Sequence, residues 1–227
     1  MLLDTFPGGV EEVDGGFAVY TDDAGERALR ERFDITSESF AEGWEEAWRE
    51  FHHGIVVGRF WIGPPWEEAT DDVTPVVIDP GRAFGTGAHA TTRLTLELLQ
   101  KTEPGSLLDV GCGSGVLSIA AAHLGFRPIV AIDIDDDAVD ITLANARVNG
   151  VELDAHRSDA LTDDLPAADV VVANVALDVV ERLLPRLDAR LAITSGYLER
   201  DDPRPAGWRR VERRDREGWA ADLYERA

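Results

Sequence analysis

Beyond residue 90, the chain alternates between two patterns of apolar residues. Short, nearly continuous apolar runs, such as "SLLDV" at 106–110 and "ADVVVANV" at 168–175, are typical of strands that are buried on both faces of a sheet. Between the runs, apolar residues recur at spacings of three and four, as at Leu94 and Leu98, which is typical of one face of a helix. Strands that alternate with helices predict a parallel sheet with helices packed on it.

The same patterns predict where each element lies. Two strand-like segments at 207–215 and 218–227 follow the alternating region, and the turn between them, from Arg216 to Gly218, predicts a hairpin. The predicted fold class is therefore α/β: a doubly wound, mostly parallel sheet with an antiparallel C-terminal hairpin. The predicted helices cover 90–101, 114–124, 136–149 and 177–187, and the predicted strands of the alternating region cover 106–110, 128–134, 151–157, 168–175 and 190–196.

The N-terminal part of the chain lacks this alternation. Residues 1–38 contain a strand-like "GGFAVYT" and a short charged helix candidate, and we interpret them as a small α+β module that is too short to fold alone. Residues 39–53 place aromatic residues at spacings of three and four, which predicts a helix that links this module to the rest. The main domain covers 54–227 and begins with a predicted strand, "GIVVGRFWIG" at 54–63, with another in "TPVVID" at 74–79.

Composition limits the class of protein. With 227 residues, 44% of them hydrophobic, the chain is long and apolar enough for a well-packed domain. A single cysteine, Cys112, excludes an internal disulfide and a cysteine-based zinc cluster, and the histidines lack metal-ligand spacing, so we expect no metal. No apolar run approaches the roughly 18 residues that span a bilayer, and no secretory signal opens the chain. We therefore expect a soluble, cytoplasmic protein.

The charge balance is unusual, with 44 acidic against 22 basic residues and a net charge of -22. Such a surface repels nucleic acid phosphates, so we expect no direct DNA binding. Three explanations stay open: adaptation to a salty cytoplasm, the codon bias of a GC-rich genome, or steering of a basic partner onto an acidic surface.

A glycine-rich turn, "DVGCGSG" at 109–115, follows a predicted strand and opens a predicted helix. Its glycines are spaced G-x-G-x-G, whereas a dinucleotide fingerprint needs G-x-G-x-x-G. The spacing is similar to the first motif of Rossmann-like S-adenosylmethionine-dependent methyltransferases, in which glycines let the backbone approach the cofactor and a nearby acid binds its ammonium. The candidates are Asp109, Gly111, Gly113 and Gly115. The alternative is close packing at the start of a helix.

Two further acidic positions follow predicted strands at the spacing that a bound nucleoside would need. Asp133 lies 22 positions after Gly111, close to the spacing of a carboxylate that accepts hydrogen bonds from ribose hydroxyls, and Ile134 follows it. A role as a helix cap suits Asp135 better than Asp133. Asp159 and Ala160 stand where such folds contact the adenine amino group, although an Asp in a loop is also an ordinary turn residue.

Asn174 ends the apolar run at 168–175, at the edge of the sheet where doubly wound folds carry out their chemistry. Its side-chain carbonyl, together with the backbone carbonyl of Asn174 or Val175, would hold the hydrogens of an amine so that the lone pair points at a methyl donor. The alternative is an Asn that closes a strand and starts the next helix.

Five segments in order, "DPGRAFGTGAHATT", "DVGCGSGVLSIAAAHLG", "AIDIDDDAV", "NARVNGV" and "VVANVAL", resemble the ribosomal protein L11 methyltransferase family, PrmA, over roughly residues 40–200. The resemblance implies a seven-stranded Rossmann-like methyltransferase sheet and S-adenosylmethionine as cofactor. It also implies a shortened N-terminal recognition module. It implies cofactor contacts at Thr92, Gly111, Asp133 and Asn174, and a cap over the methionine end formed by Phe84, Gly85, Thr86, Gly87 and His89.

The resemblance further implies methyl transfer to a lysine side chain or N-terminal amine of a protein substrate, a ribosomal protein of the large-subunit stalk base. We expect the enzyme to be a monomer. Asn174 would orient the amine, and His89 would either accept a proton or hold the loop in shape. Cys112 would be a packing residue. Because the N-terminal module is short, methylation of another protein or of a small amine stays an alternative, as does a non-catalytic relative that only binds the cofactor.

Overall fold

The computed structural model describes residues 10–13, 16–19, 27, 29, 30, 33, 35, 53–79 and 87–227. The predicted linker helix at 39–53 lies outside the described residues except for His53, and Phe84, Gly85 and Thr86 also lie outside them. Within the described ranges, no helix is long and apolar enough to cross a membrane. The same ranges contain no group of three or more acidic, histidine or cysteine side chains arranged to hold a metal.

Seven strands form the main sheet, in the spatial order β11-β12-β10-β9-β6-β7-β8, and a hairpin and a three-stranded sheet precede it. The strands are β1 Val10–Val13, β2 Gly16–Val19, β3 Ile55–Val57, β4 Phe60–Gly63, β5 Thr74–Val77, β6 Leu107–Val110, β7 Ile129–Asp133, β8 Asp154–Arg157, β9 Ala168–Asn174, β10 Ala189–Leu198, β11 Trp208–Arg216 and β12 Trp219–Arg226. The helices of the described part after β5 are α1 Ala90–Leu99, α2 Val116–Leu124, α3 Asp136–Val148 and α4 Leu177–Leu183, with a 3-10 turn at Leu184–Arg186.

Strands β6 to β10 are parallel, and β12 runs antiparallel between β10 and β11. The predicted seven-stranded, mostly parallel sheet with an antiparallel C-terminal hairpin is therefore confirmed. From β6 the chain adds β7 and β8 on one side of the sheet, and it then returns past β6 and adds β9 and β10 on the other side. The strand order therefore reverses between β6 and β9. Ligands of doubly wound sheets bind at such a switch point, outside the carboxyl ends of the strands.

Both faces of the sheet are buried, which explains the continuous apolar runs. Along β6, Leu107 belongs to one hydrophobic cluster and Leu108 to the other, and along β9 Val170 and Val171 divide in the same way. Successive side chains of a strand point to opposite faces, so both faces must be apolar where helices cover both.

The sequence prediction of one strand over 54–63 is wrong, because the segment folds into the β3–β4 hairpin. Gly58 has a φ of 60°, which favours glycine. Gln100, the residue that follows α1, fixes the turn: its Oε1 accepts a hydrogen bond from the Arg59 backbone N–H at 2.9 Å, and its Nε2 donates to the Val57 carbonyl at 3.2 Å. A side chain far along the sequence therefore stabilises a turn that the local pattern does not reveal.

Asn145 of α3 and Asn149, the residue that follows α3, tie β5 to the glycine turn at 111–115. Asn149 pairs with both backbone polar groups of Val77, at 2.8 and 2.7 Å. Asn145 is buried; its Oδ1 accepts from the Asp79 N–H at 3.1 Å, and its Nδ2 donates to the Ser114 carbonyl at 2.9 Å. The "NARVNGV" segment thus joins the small sheet and the glycine turn to one helix.

Candidate functional site

The glycine turn connects β6 to α2 at the carboxyl edge of the sheet. Gly111 has a φ of 73°, and a Cβ on it would lie 2.5 Å from Cγ1 of Val175. Gly115 has a φ of 79°, and its Cβ would lie 3.0 Å from Cγ2 of Thr142. Backbone conformation and the neighbouring side chains therefore both require glycine at these positions: a Cβ on Gly111 would meet the segment that follows β9, and one on Gly115 would meet α3.

The carboxylate of Asp133, at the end of β7, is fixed by two backbone amides. Its Oδ2 accepts from the Gly113 N–H at 3.0 Å and its Oδ1 from the Asp135 N–H at 3.2 Å. The cap of α3 is Asp135, whose Oδ1 accepts from the Asp137 N–H at 3.0 Å. Asp133 therefore has no capping role, and each of its oxygens keeps a lone pair for a further donor. Ile134 beside it is 67% exposed.

Asp159 and Ala160 lie at the same edge, directly after β8. The Ser158 N–H donates to the Asp133 carbonyl at 2.9 Å, which joins this loop to the end of β7. Asp159 accepts from the Leu161 N–H through Oδ1 at 2.9 Å, and Ala160 is buried. These hydrogen bonds fix the loop beside Asp133, at the end of β7.

Asp109 is completely buried in β6. Its Oδ2 accepts from the Ser118 hydroxyl at 2.7 Å, whereas Oδ1 has no hydrogen-bond partner among the described residues. Burial raises the pKa of Asp109 to about 7, and the negative charge of Asp133 also raises it, against the Ser118 hydrogen bond. A cation bound at this edge of the sheet would favour the charged form.

This raised pKa predicts a pH dependence of stability. Between pH 4 and 7 the folded state holds a proton on Asp109 that the unfolded state releases, so stability falls as pH rises, by about 1.4 kcal/mol per unit. We expect Asp109→Asn to remove this contribution. Urea unfolding at pH 5 and pH 8 should show the variant gaining about 3 kcal/mol on the wild type over that interval. Parallel pH curves for the two proteins would contradict the assignment.

Asn174 ends β9 and is held by α1. Its Nδ2 donates to the hydroxyl of Thr92 at 3.3 Å, and Thr92 is fully buried. Because the amide nitrogen is engaged, the amide oxygen is the atom that remains to accept a hydrogen bond from a substrate. Asn174 lies opposite Ser195 of β10 in the parallel ladder, so strands on either side fix the end of β9.

His89 caps α1 and contacts the C-terminal hairpin. Its Nδ1 lies 2.8 Å from the Thr91 hydroxyl and accepts from the Thr91 N–H at 3.4 Å. Its ring packs edge-on against Trp219, with centroids 4.9 Å apart. Burial lowers the pKa of His89, opposed by the charge of Glu217, so the ring is neutral at physiological pH. A neutral ring can accept a proton, and the cap also gives it a structural role.

Sequence reasoning missed Trp219, Ser118 and Asn145. Trp219 opens the antiparallel strand β12, which starts at the edge where the parallel strands end. The location of Trp219 at this edge follows only from the strand order. The predicted hairpin turn at 216–218 indicates that a strand begins near Trp219, but not where that strand lies in the sheet. Gly87, predicted for the cap, has a φ of 93° and packs on Ile62 of β4.

Cys112 lies inside the turn and is buried. Burial raises the pKa of its thiol to about 12, and the Thr142 hydroxyl lies 3.3 Å from its sulfur. The thiol is therefore protonated at neutral pH, which fits a packing residue rather than a nucleophile.

Comparison with known proteins gives one consistent family. The family model described as Ribosomal protein L11 methyltransferase (PrmA) matches residues 18–221. A curated relative named ribosomal protein L11 methyltransferase, from Caldicellulosiruptor bescii, is 41% identical over 172 residues, which are 72% of this chain and 57% of the relative. Another of the same name, from Caldanaerobacter subterraneus subsp. tengcongensis, is 42% identical over 155 residues, 66% of this chain and 50% of the relative.

A solved structure agrees with the sequence relatives. The ribosomal protein L11 methylase from Lactobacillus delbrueckii subsp. bulgaricus is similar with a TM-score of 0.70 at 28% identity, and the match covers 77% of this chain and 98% of that one. The chain spans about half the length of the curated relatives it matches, at 57% and 50% of them.

Proposed function

We propose that this chain, which belongs to the ribosomal protein L11 methyltransferase (PrmA) family, transfers methyl groups from S-adenosylmethionine to amine nitrogens of ribosomal protein L11. The amines would be lysine side chains or the N-terminal amine. The observation that carries this proposal is the amide of Asn174, held by Thr92 at the carboxyl edge of the sheet that also bears the glycine turn and Asp133. The net charge of -22 supports a basic protein partner over DNA.

The residues at this edge fit the proposed cofactor. Asp133 would accept hydrogen bonds from the ribose hydroxyls through the lone pairs that its backbone contacts leave over. Ile134, exposed at 67%, offers apolar surface for the adenine, next to Asp159 and Ala160. The backbone of the glycine turn at Gly111 and Gly113 would contact the methionine part, and the unpartnered Oδ1 of buried Asp109 would supply negative charge for its ammonium. When bound, S-adenosylmethionine supplies an electrophilic methyl group on a sulfonium.

The chain itself has to present a neutral amine. Deprotonating a lysine with a pKa near 10.4 at pH 7 costs about 4 to 5 kcal/mol. The carbonyl oxygen of Asn174 and a neighbouring backbone carbonyl are neutral acceptors, so they orient the hydrogens of the amine without favouring the ammonium form as a carboxylate would. The chain would hold this amine facing the electrophilic methyl group, the sulfur would leave as a neutral thioether, and the proton released by the methylated nitrogen would pass to water or to the neutral ring of His89.

Transfer of labelled methyl groups tests this proposal. Incubating the chain with labelled S-adenosylmethionine and separated ribosomal proteins of the same cell should label L11 alone. Label in another protein, or in small amines only, would favour the corresponding alternative substrate. Cofactor binding by calorimetry with no label in any amine would overturn the enzymatic proposal.

A further inference from the structure

Val175 follows Asn174 and lies between two glycines of neighbouring strands. A Cβ on Gly111, at the end of β6, would lie 2.5 Å from Cγ1 of Val175. A Cβ on Gly196, in β10, would lie 2.6 Å from the carbonyl carbon of Val175 and 3.0 Å from its nitrogen, and closer still to its oxygen. Real Cβ atoms essentially never approach other atoms below 3.0 Å, so an Ala at 196 would displace the backbone of Val175.

Gly196 forms part of a bulge that also holds Val175 by a hydrogen bond. The pairing of β10 with β12 shifts between Ser195 and Tyr197, and Gly196 has a φ of 101°. The Ser195 carbonyl accepts from the Val175 N–H at 3.0 Å, while its hydroxyl donates to the Ala220 carbonyl at 2.7 Å. Bulges next to active sites commonly re-aim neighbouring groups. Here the bulge is anchored on β12 and touches the backbone that follows Asn174.

We propose that Gly196 is a positioning residue for methyl transfer, because its missing side chain sets the Asn174–Val175 backbone where the amide and backbone carbonyls hold the substrate amine. This inference rests on the proposed function. Gly196 meets the backbone of Val175, whereas Asp133 and Asp159, proposed to bind the adenosine part of the cofactor, lie beyond β6, on the opposite side of β9 from β10. Its replacement should therefore affect the handling of the amine far more than the affinity for the cofactor, since only Gly111 of the proposed cofactor site lies against Val175.

Gly196→Ala tests the inference, and Gly207→Ala is its matched control. Gly207 also has a positive φ, of 80°, but a Cβ there meets no atom within 4 Å. Misplacement of reacting groups by an ångström costs about 100-fold in rate, so we expect kcat for L11 to fall about 100-fold in Gly196→Ala, with KM for L11 and Kd for S-adenosylmethionine within about threefold of wild type. Gly207→Ala should keep kcat within about twofold.

The pH profile of kcat gives a second readout that general loss of stability would not move. Carbonyl oxygens accept more strongly from an ammonium than from a neutral amine, so their displacement should lower the apparent pKa of the bound amine, and the kcat profile of Gly196→Ala should move to lower pH. Equal kcat in Gly196→Ala and Gly207→Ala, or a loss of cofactor affinity as large as the loss of kcat, would overturn the inference.

Val175→Ala keeps the test decisive if Gly196→Ala fails to fold. It removes the side-chain contact with Gly111 and leaves the backbone unchanged, and we expect kcat to fall about tenfold with the Kd for S-adenosylmethionine within about threefold of wild type. If Val175→Ala keeps the wild-type kcat and pH profile, the inference that contacts around Val175 position this backbone for catalysis is wrong. A wild-type chain that binds the cofactor but methylates no amine would instead refute the proposed function, so the two failures are distinguishable.

Discussion

Replacing Asn174 with alanine is expected to lower kcat for methylation of L11 by about 1,000-fold, while the Kd for S-adenosylmethionine changes by less than about tenfold. The amide oxygen of Asn174 holds the hydrogens of the amine in the orientation in which the nitrogen lone pair faces the methyl group. Removing this oxygen therefore destabilises mainly the transition state, and the binding of the cofactor changes little. Steady-state kinetics with labelled cofactor, combined with calorimetry, measures both quantities.

Thr92 supplies the controls for this prediction, because its hydroxyl accepts from Nδ2 of Asn174. Thr92→Ser keeps the hydroxyl and should keep kcat within about threefold, whereas Thr92→Val removes the acceptor in a similar volume and should cost about tenfold. Turnover at the wild-type rate in Asn174→Ala would mean that another group orients the amine. Equal rates in the two Thr92 variants would mean that the hydrogen bond does not hold the amide.

The main sheet could be predicted from the sequence because its signals are local. Each apolar run between helices marks a strand buried on both faces, as Leu107 and Leu108 show by packing in opposite clusters. The placement of Asp133 and Asn174 at one edge then follows, since both end parallel strands. The split of 54–63 into β3 and β4 could not be predicted, because Gln100, which follows α1, fixes that turn.

The features that sequence reasoning missed depend on contacts between distant segments. The pattern at 190–196 predicts a strand that ends at Gly196, but β10 continues to Leu198 through the bulge. What requires glycine at 196 is the backbone of Val175, which follows the neighbouring strand β9. Trp219 reaches His89 only because β12 lies between β10 and β11, and no local pattern encodes that order.

Asp133→Ala is expected to raise the Kd for S-adenosylmethionine at least about 100-fold, because hydrogen bonds to a charged acceptor contribute about 1.5 to 3 kcal/mol each and two ribose hydroxyls are available to it. The same change removes the acceptor of the Gly113 N–H, which loosens the glycine turn. Calorimetry at fixed salt measures the affinity. Asp133→Asn keeps the shape and one acceptor oxygen, so it should lie between wild type and Asp133→Ala.

Asp135→Ala separates this effect from a general loss of negative charge or of stability. Asp135 is a neighbouring carboxylate, exposed at the surface, that caps α3 through the Asp137 N–H. Losing the cap should cost about 1 kcal/mol of unfolding free energy. Because Asp135 has no place in the proposed cofactor site, its Kd should stay within about threefold of wild type. Equal weakening in the Asp133 and Asp135 variants would assign the effect to local charge, and an unchanged Kd in Asp133→Ala would remove Asp133 from the cofactor site.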